Sequence, residues 1–143
     1  MTDTRVKVLF DTNILVYAYD NAEPKKPQAA IKTLDTLIRN GQAVLSTQIL
    51  GEFFSVTTRH RNPLLLVTEA IQEVENYIIN CEILSVTPGV IQEALRGIRS
   101  HQFSYWDAQI WACARVHGIT EVYSEDFATG STVEGVQFTN PLV

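Results

Sequence analysis

Val8-Leu9-Phe10-Asp11-Thr12-Asn13-Ile14-Leu15 is the stretch whose reading decides the fold. An apolar run stops abruptly at a carboxylate, polar residues follow, and the apolar pattern then resumes. Arg5 to Phe10 reads as a short strand, rich in Val and Phe and bounded by polar residues. In a parallel sheet Asp11 would stand at the strand's carboxyl end, where open α/β sheets hold their ligands. Three further acids, Glu52, Asp107 and Asp126, stand at segment junctions or near helix starts. The expectation is that the fold gathers all four carboxylates into one metal site.

Working outward, Ile14 to Tyr19 reads as a short helix or turn, and residues 20–27 as a polar loop bracketed by prolines. Pro27 suits the first position of a helix, where its missing N–H costs nothing. Ala30, Ile31, Leu34, Leu37 and Ile38 then recur at helical spacing until Asn40-Gly41. Ala43 to Leu45 fits a second strand. Ser46 and Thr47 cap a helix bearing Ile49, Leu50, Phe53, Phe54 and Val56, which Asn62-Pro63 breaks. Thr68 to Cys81 is another helix, with Thr68 as its expected cap. Ile83 to Val86 reads as a third strand, and Thr87-Pro88 opens a helix through about His101. Tyr105 to His117 follows behind Ser104 and is closed by Gly118. Glu121 to Ser124 and Val136 to Phe138 read as the fourth and fifth strands, with residues 128–135 as a loop between them. Strands alternating with helices predict an α/β protein, a central parallel sheet of about four to five short strands with helices on both faces.

The 143 residues read as one domain spanning 1–143, with no repeat, linker or low-complexity segment. At 45% hydrophobic and 19% charged, the chain can build a substantial core, which excludes a disordered class. A net charge of -5 argues against a protein that grips nucleic acid mainly by electrostatics. An enzyme that touches a phosphate backbone through a metal stays compatible with it. Cys81 and Cys113 lie in apolar, helix-like contexts, so buried thiols in a reducing, cytoplasmic setting are expected rather than a disulfide. They are too few for a paired-cysteine zinc site. The first residues lack the basic-then-apolar pattern of a signal peptide, and no apolar run approaches the ~20 residues of a membrane span.

Each acid also has a plainer role. Asp11 is a good N-cap for the segment that begins at Thr12. Glu52 could lie on the solvent stripe of its helix. Asp107 stands three residues after Ser104, as in a capping box, although that box prefers Glu or Gln. Against the plain role, Trp106, Ala108, Ile110, Trp111 and Ala112 make this helix apolar nearly all round, and an ionised carboxylate there must be paired or metal-bound. Asp126 follows the fourth strand as Asp11 follows the first, and Glu125 competes with it for the role. Clustered like charges raise one another's pKa, and a divalent cation with oxygen ligands relieves them. Mg²⁺ suits such a site, with Asn13 and Ser124 as supporting hydrogen-bonding groups. His60, His101 and His117 sit at helix ends, where interaction with the helix C-terminus accounts for them. Arg59 with Arg61, and Arg96 with Arg99, read as solvated basic groups.

Four segments, in order, resemble the motifs of PIN-domain nucleases. They are Asp11-Thr12-Asn13-Ile14-Leu15-Val16-Tyr17, Ser46-Thr47-Gln48-Ile49-Leu50-Gly51-Glu52-Phe53, Ser104-Tyr105-Trp106-Asp107-Ala108-Gln109-Ile110 and Tyr123-Ser124-Glu125-Asp126-Phe127. The resemblance spans essentially the whole chain and is strongest to the VapC-type toxins of bacterial toxin–antitoxin pairs. It implies a PIN-like fold and a catalytic set of Asp11, Glu52, Asp107 and Asp126. Asp11, Asp107 and Asp126 would be the metal ligands, with Asp11 and Asp107 the principal ones. It further implies Mg²⁺ or Mn²⁺, hydrolysis of RNA phosphodiester bonds through a metal-activated water, a homodimer, and silencing by a cognate antitoxin. Gly51 departs from good helix formers and is expected to loosen its helix locally. The alternative is a catalytically silent PIN-like scaffold that binds RNA or a protein. A haloacid-dehalogenase-type phosphatase would need a second Asp where Asn13 stands, and a receiver domain would need adjacent acids after the first strand.

Overall fold

The computed structural model describes residues 5–20, 25–125, 127 and 130–142. In chain order the elements are β1 (Val8–Phe10), α1 (Thr12–Tyr17), α2 (Lys25–Arg39), β2 (Ala43–Ser46), α3 (Thr47–Thr58) and α4 (Val67–Asn80). Then come β3 (Glu82–Leu84), α5 (Pro88–His101), α6 (Tyr105–Val116), β4 (Glu121–Tyr123), β5 (Thr132–Val133) and β6 (Val136–Thr139). The strands form one sheet in the order β3-β2-β1-β4-β6-β5, parallel except for β5 against β6.

Every residue of β1 and β2 is buried, which is why both read as unbroken apolar runs. Helices cover both faces of these central strands. β1 is followed by β2 on one side and flanked by β4 on the other, so the order reverses between β1 and β4 and opens a crevice at their carboxyl ends. The register pairs Phe10 with Tyr123, so the next residues, Asp11 and Ser124, emerge side by side. The Asp11 N–H donates to the Tyr123 carbonyl at 2.9 Å, carrying the ladder one step past the strands.

Helix starts follow the expected capping chemistry. Ser46 Oγ accepts from the Ile49 N–H at 3.1 Å, and Thr87 Oγ1 from the Val90 N–H at 3.2 Å behind Pro88. Several boundaries differ from the sequence reading, β1 among them, which starts at Val8 rather than Arg5. The cap of α4 is not Thr68: the helix starts earlier, and the Glu69 carboxylate reaches back to the Leu66 N–H at 2.9 Å. Helix α2 begins by Lys25, which places Pro27 inside the first turn, where a missing N–H is still tolerated. The third strand runs Glu82–Leu84, two residues short of Val86, whose N–H instead donates to Thr47 Oγ1. The segment read as a loop holds β5, so the sheet has a sixth, antiparallel strand. A two-residue strand is too short to show alternation. Its turn pairs Glu134 and Gly135, both at positive φ (48° and 86°), the geometry that matches hairpin twist. Helix α3 runs unbroken through Gly51.

Helices α5 and α6 pack closely because Gly97 has no side chain. A Cβ there would lie 2.6 Å from Cζ3 of the fully buried Trp111. Phe103, Phe127 and Phe138 extend this core toward the sheet edge. Cys81 is half-buried and Cys113 buried, both as free thiols, and burial pushes each up to about 11. Trp106 faces outward, 61% exposed, whereas Ala108 to Ala114 are buried, so α6 is less uniformly apolar in its surroundings than its composition suggests. Among the described residues no helix is long and apolar enough to cross a membrane.

Candidate active site

At the carboxyl edge of β1 and β4 lies an open cleft of about 470 Å³, lined by Asp11, Thr12, Asn13, Val16, Tyr17, Asp20, Glu52, Val56 and Asp107. Each acid arrives from a different element. Asp11 ends β1 and is also the N-cap of α1, its Oδ1 accepting from the Thr12 N–H at 2.7 Å. The cap is made, and Asp11 still lines the cleft. Its other oxygen, Oδ2, accepts from Ser124 Oγ at 2.8 Å, across from the end of β4. Burial pushes the Asp11 carboxyl above the usual carboxylate range, and the nearby charges of Glu52 and Asp107 push it the same way. The bonds from Ser124 and Thr12 act in the opposite sense.

Glu52 projects from α3 into the cleft, not onto a solvent stripe. Its Oε2 accepts from Thr12 Oγ1 at 2.7 Å and its Oε1 from Gln48 Nε2 at 2.5 Å. Asp107 stands in the first turn of α6. Ser104 Oγ accepts its N–H at 3.3 Å, but among the described residues no bond runs from the Asp107 carboxylate back to Ser104. Half of the capping box is made, and the carboxylate is left facing the cleft.

Asn13 lines the same cleft and Ser124 holds Asp11, so both expected supporting residues stand at the site. Asp126 lies outside the described residues. Glu125 is tied by the Tyr17 hydroxyl at 3.3 Å and is not among the cleft-lining residues. Four participants escaped the sequence reading. Thr12 and Gln48 bind Glu52, Gln109 binds Gln48, and Asp20 adds a fourth carboxylate to the lining. Position gave a signal for three of them, since Thr12, Gln48 and Gln109 each lie within four residues of an acid in its motif.

No Lys, Arg or His stands among the described residues that line the cleft. The acids are close enough to repel, yet among the described residues no three Asp, Glu, His or Cys side chains are grouped closely enough to hold a metal ion by themselves. An all-oxygen, partly open donor set of this kind fits a hard cation that keeps some of its waters better than it fits zinc.

A PIN domain family model matches residues 8–128, a span that begins with β1 and takes in all four acids. The chain belongs to the PIN domain family. No curated protein matches it in sequence. Several solved structures share the PIN fold at low identity. Mycobacterium tuberculosis VapC20, described as a sarcin–ricin loop cleaving toxin, is 18% identical with a TM-score of 0.65, over 85% of this chain and 92% of that one. A toxin–antitoxin complex from Klebsiella pneumoniae is 17% identical with a TM-score of 0.69, over 94% and 98%. DNA-bound VapBC from Salmonella typhimurium is 16% identical with a TM-score of 0.68, over 96% and 99%. At these identities the likeness is one of fold. This PIN domain therefore shares the architecture of those structures.

Proposed function

We propose that this PIN domain is a metal-dependent endoribonuclease of the VapC type, held silent by a cognate antitoxin. The observation that carries the reading is the convergence of Asp11, Glu52 and Asp107 on one open cleft with no basic side chain in its described lining. Such a cleft repels a phosphate unless a cation stands between them. Mg²⁺ is the proposed ion, with Mn²⁺ as a substitute. Asp11, Asp107 and Asp126 are its proposed ligands, and Glu52 completes the site directly or through water. When bound, the ion supplies charge neutralisation at the phosphate and acidifies water.

The chain's own residues do the placing. Ser124 and the Thr12 N–H fix both oxygens of Asp11. Thr12 and Gln48 each take one lone-pair direction on Glu52, and a carboxylate offers about four, so the rest remain for water or cation. RNA as the substrate is supported by the cleaving toxin among the similar structures, and an antitoxin partner by the toxin–antitoxin complexes. A homodimer in the cytoplasm belongs to the same proposal.

The test is RNA cleavage by purified, antitoxin-free protein, with Mg²⁺ against EDTA and with Asp107→Asn. Cleavage that needs the metal and is lost in the variant is expected. Equal cleavage by the variant, or none by the unsubstituted chain on total RNA with Mg²⁺, would overturn it. The second outcome would favour a silent scaffold.

A further inference from the structure

We propose that Gln48 and Gln109 form a positioning relay that sets the orientation of Glu52 for the cation, an inference that rests on the metal-site reading above. Gln109 lies in α6 two residues after Asp107, yet only 4% of it is exposed. A buried primary amide is costly unless it is paired, and an apolar residue of the same volume would fill the place without that cost. Its pairing is specific. Gln109 Nε2 donates to Gln48 Oε1, Gln48 Nε2 donates to Glu52 Oε1 at 2.5 Å, and Thr12 Oγ1 donates to Glu52 Oε2 at 2.7 Å.

The relay has a direction because an amide has one accepting end and one donating end. Gln109 occupies the accepting end of Gln48. What Gln48 presents to Glu52 is therefore its NH₂ group, and Glu52 meets a donor on each oxygen. Turning Gln48 over would set its carbonyl against the carboxylate and its NH₂ against the Gln109 NH₂, two repulsive contacts for two attractive ones. The relay also spans the elements that carry the acids. It starts in α6 beside Asp107, crosses to α3 at Glu52, and closes through Thr12 on the helix that Asp11 caps. A fixed carboxylate orientation and a fixed spacing of the acids come from the same bonds. Gln48 and Gln109 touch no reacting atom, so they are positioning residues.

The experiment is Mn²⁺ affinity, read by electron paramagnetic resonance on the full chain, for the unsubstituted protein, Gln48→Met, Gln109→Met and the double variant. Melting curves and the split of kcat from KM on a cleaved RNA accompany it. Outer partners of metal ligands are worth about 10–100-fold in affinity. Each single variant should weaken Mn²⁺ by ~10-fold, and the double variant by about the same rather than by the product, because one relay is broken once. The change should fall on kcat more than on KM, since the substrate is not touched. Unchanged Mn²⁺ affinity with a lower Tm would overturn the relay and leave only a packing role. Effects that multiply would also overturn it, as two unrelated contacts. Failure of the unsubstituted protein to bind Mn²⁺ at all would instead sink the metal-site reading, and the relay with it.

Discussion

The cleft beside β1 and the cluster between α5, α6 and the β5–β6 turn are both built on acids, and they treat charge in opposite ways. In the cluster every carboxylate has a cation. Glu93 accepts from Arg96 at 2.5 Å and from Arg115 at 2.8 Å, and Glu134 accepts from Arg96 at 2.9 Å and pairs with His101 at 2.6 Å. The Arg96 guanidinium also lies 5.5 Å from the centre of the Trp111 ring. Bonding to Arg96 and Arg115 holds Glu93 below the usual carboxylate range, and bonding to Arg96 and His101 brings Glu134 down to about 2. In the cleft the acids face one another, and Asp11 moves the other way. A carboxylate is the same group in both places. Whether it closes a surface or opens a site is decided by what the fold sets beside it. The ion pairs of the cluster are exposed and individually weak, but they tie down the hairpin turn between β5 and β6.

The largest expected difference between the two regions is in catalysis. Asp11→Asn and Asp107→Asn should each lower RNA cleavage by roughly 10²–10³-fold, as loss of a charge-stabilising group does. Glu93→Gln and Glu134→Gln should leave the rate within about twofold, because they only trim exposed ion pairs. Comparable losses from both sets, measured on one RNA at one Mg²⁺ concentration, would mean that the cleft and the cluster do not differ in function.

Packing comes next. Gly97→Ala should destabilise the protein by ~1–3 kcal/mol, since the added methyl meets a Trp111 ring that has no room to move. Denaturant unfolding measures it, and an unchanged midpoint would mean that α5 and α6 can separate freely.

Smaller, and of opposite sign in the two regions, is the effect of neutral isosteres on the cation-free protein. Asp11→Asn removes a charge that burial and its neighbours penalise, so the Tm should rise by a few degrees, about 1 kcal/mol. Glu134→Gln removes a paired charge and should lower the Tm. A fall in both would show that the bond Asp11 accepts from Ser124 outweighs the burial and repulsion at Asp11.

The smallest effect is how these gaps change with pH. Glu134 has a depressed folded pKa, so its contribution is present above its unfolded value, about 4.3, and is lost as pH falls toward the folded value. The folded pKa of Asp11 is raised, so its cost is full above that value and gone below the unfolded value, about 3.9. Melting curves from pH 7 to acid should therefore show both variants converging on the parent protein, Glu134→Gln from below and Asp11→Asn from above. Convergence from the same side would contradict the contrast.

Much of the fold is legible in the chain. The buried runs at Val8–Phe10 and Ala43–Ser46, the capping residues Ser46, Thr87 and Ser104, and the alternation of strands with helices all act over a few residues. The misses are of two kinds. β5 is too short for periodicity, and its turn is tied through Glu134 to Arg96 and His101 from another part of the chain. At α4, Thr68 is a competent cap in sequence, but the Glu69 carboxylate satisfies the Leu66 N–H and starts the helix earlier.

What the sequence by itself determined is the order and type of the elements other than β5, and that an acid ends β1 and others open or enter α3 and α6. Hydrophobic period, caps and breakers are local, so they survive in one dimension. What only the tertiary structure decided is which acids face one another and which meet a cation. Thr12 meets Glu52 across 40 positions, Gln109 meets Gln48 across 61, and Ser124 meets Asp11 across 113. Electrostatic and hydrogen-bond energies depend on distance in space and on burial, and neither is written along the chain.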